Sequence, residues 1–200
     1  MFSHIAVYNC STTSCSQNKT DDDAFNVPQR YVDFLLNIKL DRFVGGYCFT
    51  IMPDRSPASK FYTPPAMYPY TYYPTYCSGP GYIVSQSAVK DLVRVAQHVR
   101  FLPMEDVFVG GLCRVTAGIP YIQIEGSVIS KHAMTRCNTA TWAKNSHNTL
   151  PEEAEQIWKE NVLPAHTLKD CLYEHIKLTI ALIVFVLIMC RILYKYFMKR

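Results

Sequence analysis

Lys19-Thr20-Asp21-Asp22-Asp23-Ala24-Phe25 is the stretch on which the reading of this 200-residue chain turns. Three consecutive carboxylates followed at once by apolar residues are costly to place unless something positive lies against them. Hard divalent cations such as Mg²⁺ or Mn²⁺ take carboxylate oxygens and leave positions open for phosphate oxygens. An Asp-x-Asp turn of this kind suits a metal that bridges protein and a nucleotide diphosphate. Taken alone, three acidic residues are more often a solvated turn or a helix N-cap, so the rest of the chain must decide.

A second acidic cluster lies downstream, in Pro103-Met-Glu105-Asp106-Val-Phe-Val-Gly110. An acidic pair running into Val-Phe-Val is expected at a helix start beside a cleft. The plainer alternative is that Glu105 and Asp106 only cap a helix over Val107–Ala117, ended by Gly118. Between the clusters, residues 53–80 are rich in Pro and Tyr and form either a linker or an ordered loop with flat aromatic faces. Cys77-Ser-Gly79-Pro-Gly81-Tyr-Ile-Val-Ser85 predicts a tight glycine turn feeding a strand, and Ser87 is expected to cap a helix over Ala88–Val99. Elsewhere, Pro28 opens a helix carrying Tyr31–Leu36, and Pro151 opens another that ends at Trp158. Arg42–Ile51 and Pro120–Ile124 read as strands, as does the short piece His4–Tyr8. The chain has no GxGxxG, P-loop, HExxH or paired CxxC.

The net charge is +4, and Arg191, Lys195, Lys199 and Arg200 account for all of it. No basic face remains for nucleic acid. These cations follow an apolar run from Leu178 to Cys190. Extended over residues 176–197 it reaches about 33 Å as a helix, enough for one membrane span with Lys177 and Arg191 snorkelling. The alternative is a buried amphipathic helix, but no polar face recurs at helical spacing. A basic cytosolic tail would leave residues 1–170 facing the lumen. Two glycosylation sequons, Asn9-Cys-Ser11 and Asn18-Lys-Thr20, agree with that side. All of the eight cysteines but Cys190 precede the apolar run, so disulfides are expected there, with the pairing open. Met1–Cys10 lacks the basic start and apolar region of a signal sequence.

The ordered set of segments resembles the C-terminal half of the β-1,3-galactosyltransferases and their β-1,3-N-acetylglucosaminyltransferase relatives. The resemblance runs from Lys19 to Cys171. It rests on Lys19–Phe25, Pro53-Asp-Arg55 with Lys60, Tyr73–Ser85, Glu105–Gly110, Gly118-Ile119 and His147–Glu153 with Ile157-Trp158. It implies an α/β domain of the GT-A type, Rossmann-like and N-terminally truncated, followed by a single C-terminal transmembrane helix. Residues 1–18 would be a diverged N-terminal segment, 19–171 the galactosyltransferase-like domain and 176–197 the span with its basic tail.

The implied activity is an inverting, Mn²⁺-dependent hexosyltransferase of the Golgi membrane. It would move galactose or N-acetylglucosamine from a UDP-sugar to a 3-hydroxyl of a glycan acceptor. Asp21, Asp22 and Asp23 would hold the diphosphate, with Asp23 the foremost metal ligand, Asp21 another and His147 a further candidate. Asp106 would be the general base and Glu105 would orient hydroxyls, while Tyr76, Gly79, Gly81 and Tyr82 would line the cleft. The chain departs from the family pattern at several points. Ser14-Cys-Ser-Gln-Asn18, poor strand material, stands where the family has the strand that delivers its carboxylates. Phe61 stands for a tryptophan, and Ile129-Ser130 precedes Lys131 in place of His-Trp. The alternative expectation is an inactive membrane protein that keeps the half-scaffold for carbohydrate or partner binding.

Overall fold

In the computed structural model, residues 4–11, 14–162, 176–177, 179–189 and 191 are described. Strands β1 (His4–Ser11), β2 (Ser14–Thr20), β4 (Val44–Phe49), β5 (Tyr76–Ser85) and β6 (Tyr121–Gln123) form one sheet in the order β1-β2-β5-β4-β6. Its neighbours are antiparallel except for the β4–β6 pair. A smaller sheet is ordered β3-β8-β7, from β3 (Phe25–Asn26), β8 (Asn145–His147) and β7 (Ile129–Ser130). Helices α1 (Pro28–Asn37), α2 (Gln86–Ala96), α3 (Arg114–Thr116), α4 (Arg136–Thr141) and α5 (Pro151–Ile157) complete a mixed α/β architecture.

Strand β5 is central because both of its faces are apolar enough to be covered. Alternate residues of a strand point to opposite sides. Tyr82 and Val84 therefore join Val44, Ala88, Leu92, Cys113 and Ile119 in one core under α2. Ile83 points the other way, to Phe43, Ile124 and Tyr31 of α1. As expected, Pro28 opens α1, where its missing N–H is no loss.

The polar stretch before the carboxylates departs from expectation. Ser14–Thr20 is a strand, hydrogen-bonded to β1 on one side and β5 on the other. Its ladder partners override a weak intrinsic propensity, and Ser16, Asn18 and Thr20 are small or compact enough to be buried against β5. The expected boundary between residues 18 and 19 thus falls inside β2. Asn18 pairs with Ile83, is wholly buried, and neither polar atom of its side chain has a hydrogen bond. The sequon at Asn18 is therefore closed to modification once the sheet has formed. The side chain of Asn9 lies outside the described residues.

Two other expectations change, and one left open is decided. Helix α2 starts at Gln86 with Ser85 as N-cap, and the Ser87 hydroxyl donates instead to the Asp41 carbonyl. Residues Val107–Cys113 form a π-helical turn that runs into α3, still ended by Gly118 at φ 61°. The proline- and tyrosine-rich stretch is an ordered loop. Arg55 donates to the carbonyls of Thr63 (2.6 Å), Tyr68 (2.8 Å) and Tyr70 (3.1 Å), while Tyr68, Tyr73 and Tyr76 pack with Leu102 and Val107. Cys48 and Cys77, opposite one another on β4 and β5, are joined as a disulfide, and Cys113 is a buried free thiol.

Residues 179–189 are helical, and their apolar side chains from Ile180 to Met189 are largely exposed. Among the described residues no helix is long and apolar enough to cross a membrane. Residues 178, 190 and 192–200, which include part of the expected span and most of its basic tail, lie outside the described ones.

Candidate active site

The first carboxylate group forms where β2 ends. The Asp21 N–H donates to the Pro80 carbonyl (3.4 Å), and the Ala24 N–H returns to the Asp21 carbonyl (3.3 Å), closing a tight turn. A buried amide network holds this turn against β5. Asn145 Nδ2 donates to Asn26 Oδ1 (2.8 Å) and to the Pro80 carbonyl (3.2 Å), and Asn26 Nδ2 donates to Thr20 Oγ1 (2.7 Å). Pairing of β3 with β8 then carries His147 to the turn, and the Thr149 N–H donates to the Asp23 carbonyl (2.8 Å).

His147 Nε2 lies 3.3 Å from Asp23 Oδ2. One ligand atom each of Asp21, Asp23 and His147 falls within 4.8 Å of the others. The other oxygen of Asp23, Oδ1, is buried with no hydrogen-bond partner. A buried carboxylate oxygen without a donor is destabilising unless a cation satisfies it. Two carboxylates and an imidazole suit Mn²⁺, so these three residues fit a divalent ion. Asp22 is exposed and lies outside that group.

The second group forms at the start of the π-helical turn. Asp106 Oδ1 accepts from its neighbour Val107 N–H (2.9 Å), and Oδ2 accepts from the Gly79 N–H (3.1 Å). Each oxygen keeps a lone pair for a third group. Burial pushes the Asp106 carboxyl above the usual carboxylate range, with Glu105 adding to the shift, and the two N–H bonds and Lys19 oppose it. Glu105, largely exposed, accepts a short hydrogen bond from the Tyr82 hydroxyl. Burial raises the Tyr82 phenol well above its ordinary value, and the Glu105 charge reinforces this.

Lys19 stands between the two groups. Its Nζ lies 2.5 Å from Asp21 Oδ1, 2.8 Å from the Gly79 carbonyl and 3.3 Å from Glu105 Oε2. The sequence gives Lys19 no role beyond opening the motif. The available signal is its spacing, since residues i and i+2 leave a strand on the same side.

The predicted cleft residues divide. Gly79 touches the second group: a methyl there would lie 3.3 Å from Asp106 Oδ2. Gly81 underlies the first: a methyl would lie 2.8 Å from Asn145 Nδ2. Tyr82 belongs to the site through Glu105. Tyr76 does not line an open cleft. It is 5 % exposed and packs on Phe49, with ring centroids 4.9 Å apart. Its phenol is pushed up by burial and then by the nearby Asp106 charge.

A family model for galactosyltransferases matches residues 5–125, a span that holds both acidic groups and Lys19. The chain belongs to the galactosyltransferase family. Beta-1,3-galactosyltransferase 1 of Homo sapiens and of Mus musculus is each 34% identical to it over 155 residues, 74% of this chain and 47% of the relative. Beta-1,3-galactosyltransferase 9 of Homo sapiens is 34% identical over 148 residues, 71% of this chain and 39% of that protein. This galactosyltransferase-family chain spans about half the length of the curated relatives it matches.

Proposed function

We propose that this chain provides the metal- and acceptor-side machinery of an inverting hexosyltransferase. It would transfer galactose or N-acetylglucosamine from a UDP-sugar to a 3-hydroxyl of a glycan. The observation that carries this reading is the convergence of both acidic groups on Lys19 and Gly79, within a stretch matched by the family model. One group has the composition of a cation site and the other that of a base.

Asp106 is the proton acceptor in this reading. Burial makes its carboxylate more basic than an exposed one, and the N–H bonds from Gly79 and Val107 fix its direction. A hydroxyl proton passing to Asp106 frees the acceptor oxygen to attack the anomeric carbon as the diphosphate departs from the opposite face. Glu105, held by Tyr82 and Lys19, orients hydroxyls at the rim. Asp21, Asp23 and His147 would hold Mn²⁺, which when bound supplies Lewis-acid stabilisation of the diphosphate charge. A GT-A type fold, UDP specificity and luminal Golgi placement belong to the same reading. So does a membrane span over residues 176–197, which the exposed apolar helix at 179–189 supports.

The test is calorimetry of UDP against the full chain with and without Mn²⁺, followed by transfer assays with UDP-galactose and UDP-N-acetylglucosamine. Mn²⁺-dependent UDP binding with turnover is expected. Binding without turnover would favour the alternative of a binding protein on an inactive scaffold. No UDP binding by the folded chain would overturn the donor site.

A further inference from the structure

We propose that Lys19 is a positioning residue whose single ammonium couples the carboxylate turn to the acidic pair through Glu105 and Gly79; this rests on the transfer reading of the site. The geometry is a three-point grip. Lys19 Nζ holds Asp21 Oδ1, the Gly79 carbonyl and Glu105 Oε2, and the same Gly79 gives its N–H to Asp106. Gly79, within strand β5, therefore links the position of Lys19 to the candidate base. The grip is anchored at one end and adjustable at the other. The Lys19 and Asp21 side chains are only 14% and 16% exposed, whereas Glu105 is 46% exposed.

The charges explain why a cation belongs there. Asp21 and Glu105 flank Lys19, Asp106 follows Glu105 in the chain, and the Tyr82 ring lies 5.9 Å from Lys19 Nζ. The phenols of Tyr73 and Tyr76, on the aromatic loop and β5, are near enough for the Asp106 charge to help raise them, after burial. Among the described ion pairs, Lys19 alone joins the two acidic groups. Without it, like-charge repulsion from Glu105 and burial would both favour a protonated, inactive Asp106.

The experiment reads the Asp106 carboxyl directly, by carbon NMR titration of the full chain, and needs no substrate. Lys19→Met is expected to raise the Asp106 midpoint above that of the wild type. Lys19→Arg, which keeps the charge and adds donors, is expected to hold it near the wild-type value. Lys19→Gln, uncharged yet able to reach the Gly79 carbonyl, separates charge from hydrogen bonding and replaces Lys19→Met should that variant not fold. An unmoved midpoint in a folded Lys19→Met or Lys19→Gln chain overturns the proposal. A midpoint raised equally by Lys19→Arg does so too, since that is the mark of a merely structural lysine. Loss of Mn²⁺-dependent UDP binding in the wild type would instead strike the donor-site reading and leave the coupling of Lys19 to Asp106 intact.

Discussion

The turn at Asp21–Asp23 and the helix start at Glu105–Asp106 are chemically alike and are finished differently. At Asp106 both oxygens already receive backbone N–H groups, so the carboxylate is oriented with no further partner. At Asp23 one oxygen faces only His147 and the other is buried without a donor. In the proposed reading a carboxylate with both oxygens satisfied acts as a fixed base, whereas one with an undonated oxygen beside an imidazole would receive a cation. Sequence proximity to apolar residues is common to both, and the fate of each oxygen is what separates their roles.

That contrast is open to direct attack. The largest effect is expected from Asp106→Asn, which should lower transfer by about 10²- to 10⁴-fold while leaving Mn²⁺-dependent UDP binding unchanged in calorimetry. Asp23→Ala should do the reverse first, weakening Mn²⁺ and UDP binding by about 100-fold or more if Asp23 is the ligand proposed, because losing a metal ligand costs at least as much as losing its support. Equal effects of the two substitutions on binding would erase the distinction. Gly79→Ala should reduce turnover by about tenfold with binding intact, since its methyl would press on the Asp106 carboxylate.

Smaller shifts follow from titration. The Asp106 carboxyl sits above the usual range because of burial, so its base form is lost earlier as pH falls. The acid limb of kcat/KM should therefore lie above that of an ordinary carboxylate and vanish in Asp106→Asn. The stability sign is opposite. A raised folded-state value penalises the charged form as pH rises through it and imposes nothing below the unfolded value. Asp106→Asn should hold or slightly raise Tm at neutral pH, with the gain absent in acid. A clear drop in neutral Tm would mean that its capping role outweighs the buried charge.

Much of the architecture is legible in the chain. Pro28 and Pro151 mark their helix starts, Gly118 marks a helix end, and the apolar run after Gly81 marks the core strand. The strand Ser14–Thr20 is not legible, because its composition is polar and its conformation is imposed by β1 and β5 rather than by its own side chains. The π-helical form of Val107–Cys113 is hidden for a related reason: Gly110 and Gly111 lie close against β5, a tertiary contact with no local pattern. At the site, the carboxylates are legible from spacing and resemblance, and His147 from the resemblance alone. Lys19 as a junction, and the Asn26–Asn145 support beneath the turn, depend on contacts between residues up to 119 positions apart. The order of the aromatic loop is likewise hidden in its composition, because it depends on Arg55 gathering the carbonyls of Thr63, Tyr68 and Tyr70.

The closed sequon in β2 has a consequence for the life history of the molecule. In a chain passing through a compartment that adds N-glycans, Asn18 is open only before its strand joins the sheet. A glycan on Asn18 would then be incompatible with the folded core, so its occupancy would record the fraction of chains that were modified before they folded. Were the chain to pass through such a compartment, site-resolved mass spectrometry would read that fraction as a clock, with unmodified Asn18 marking prompt folding and glycosylated Asn18 marking chains modified first.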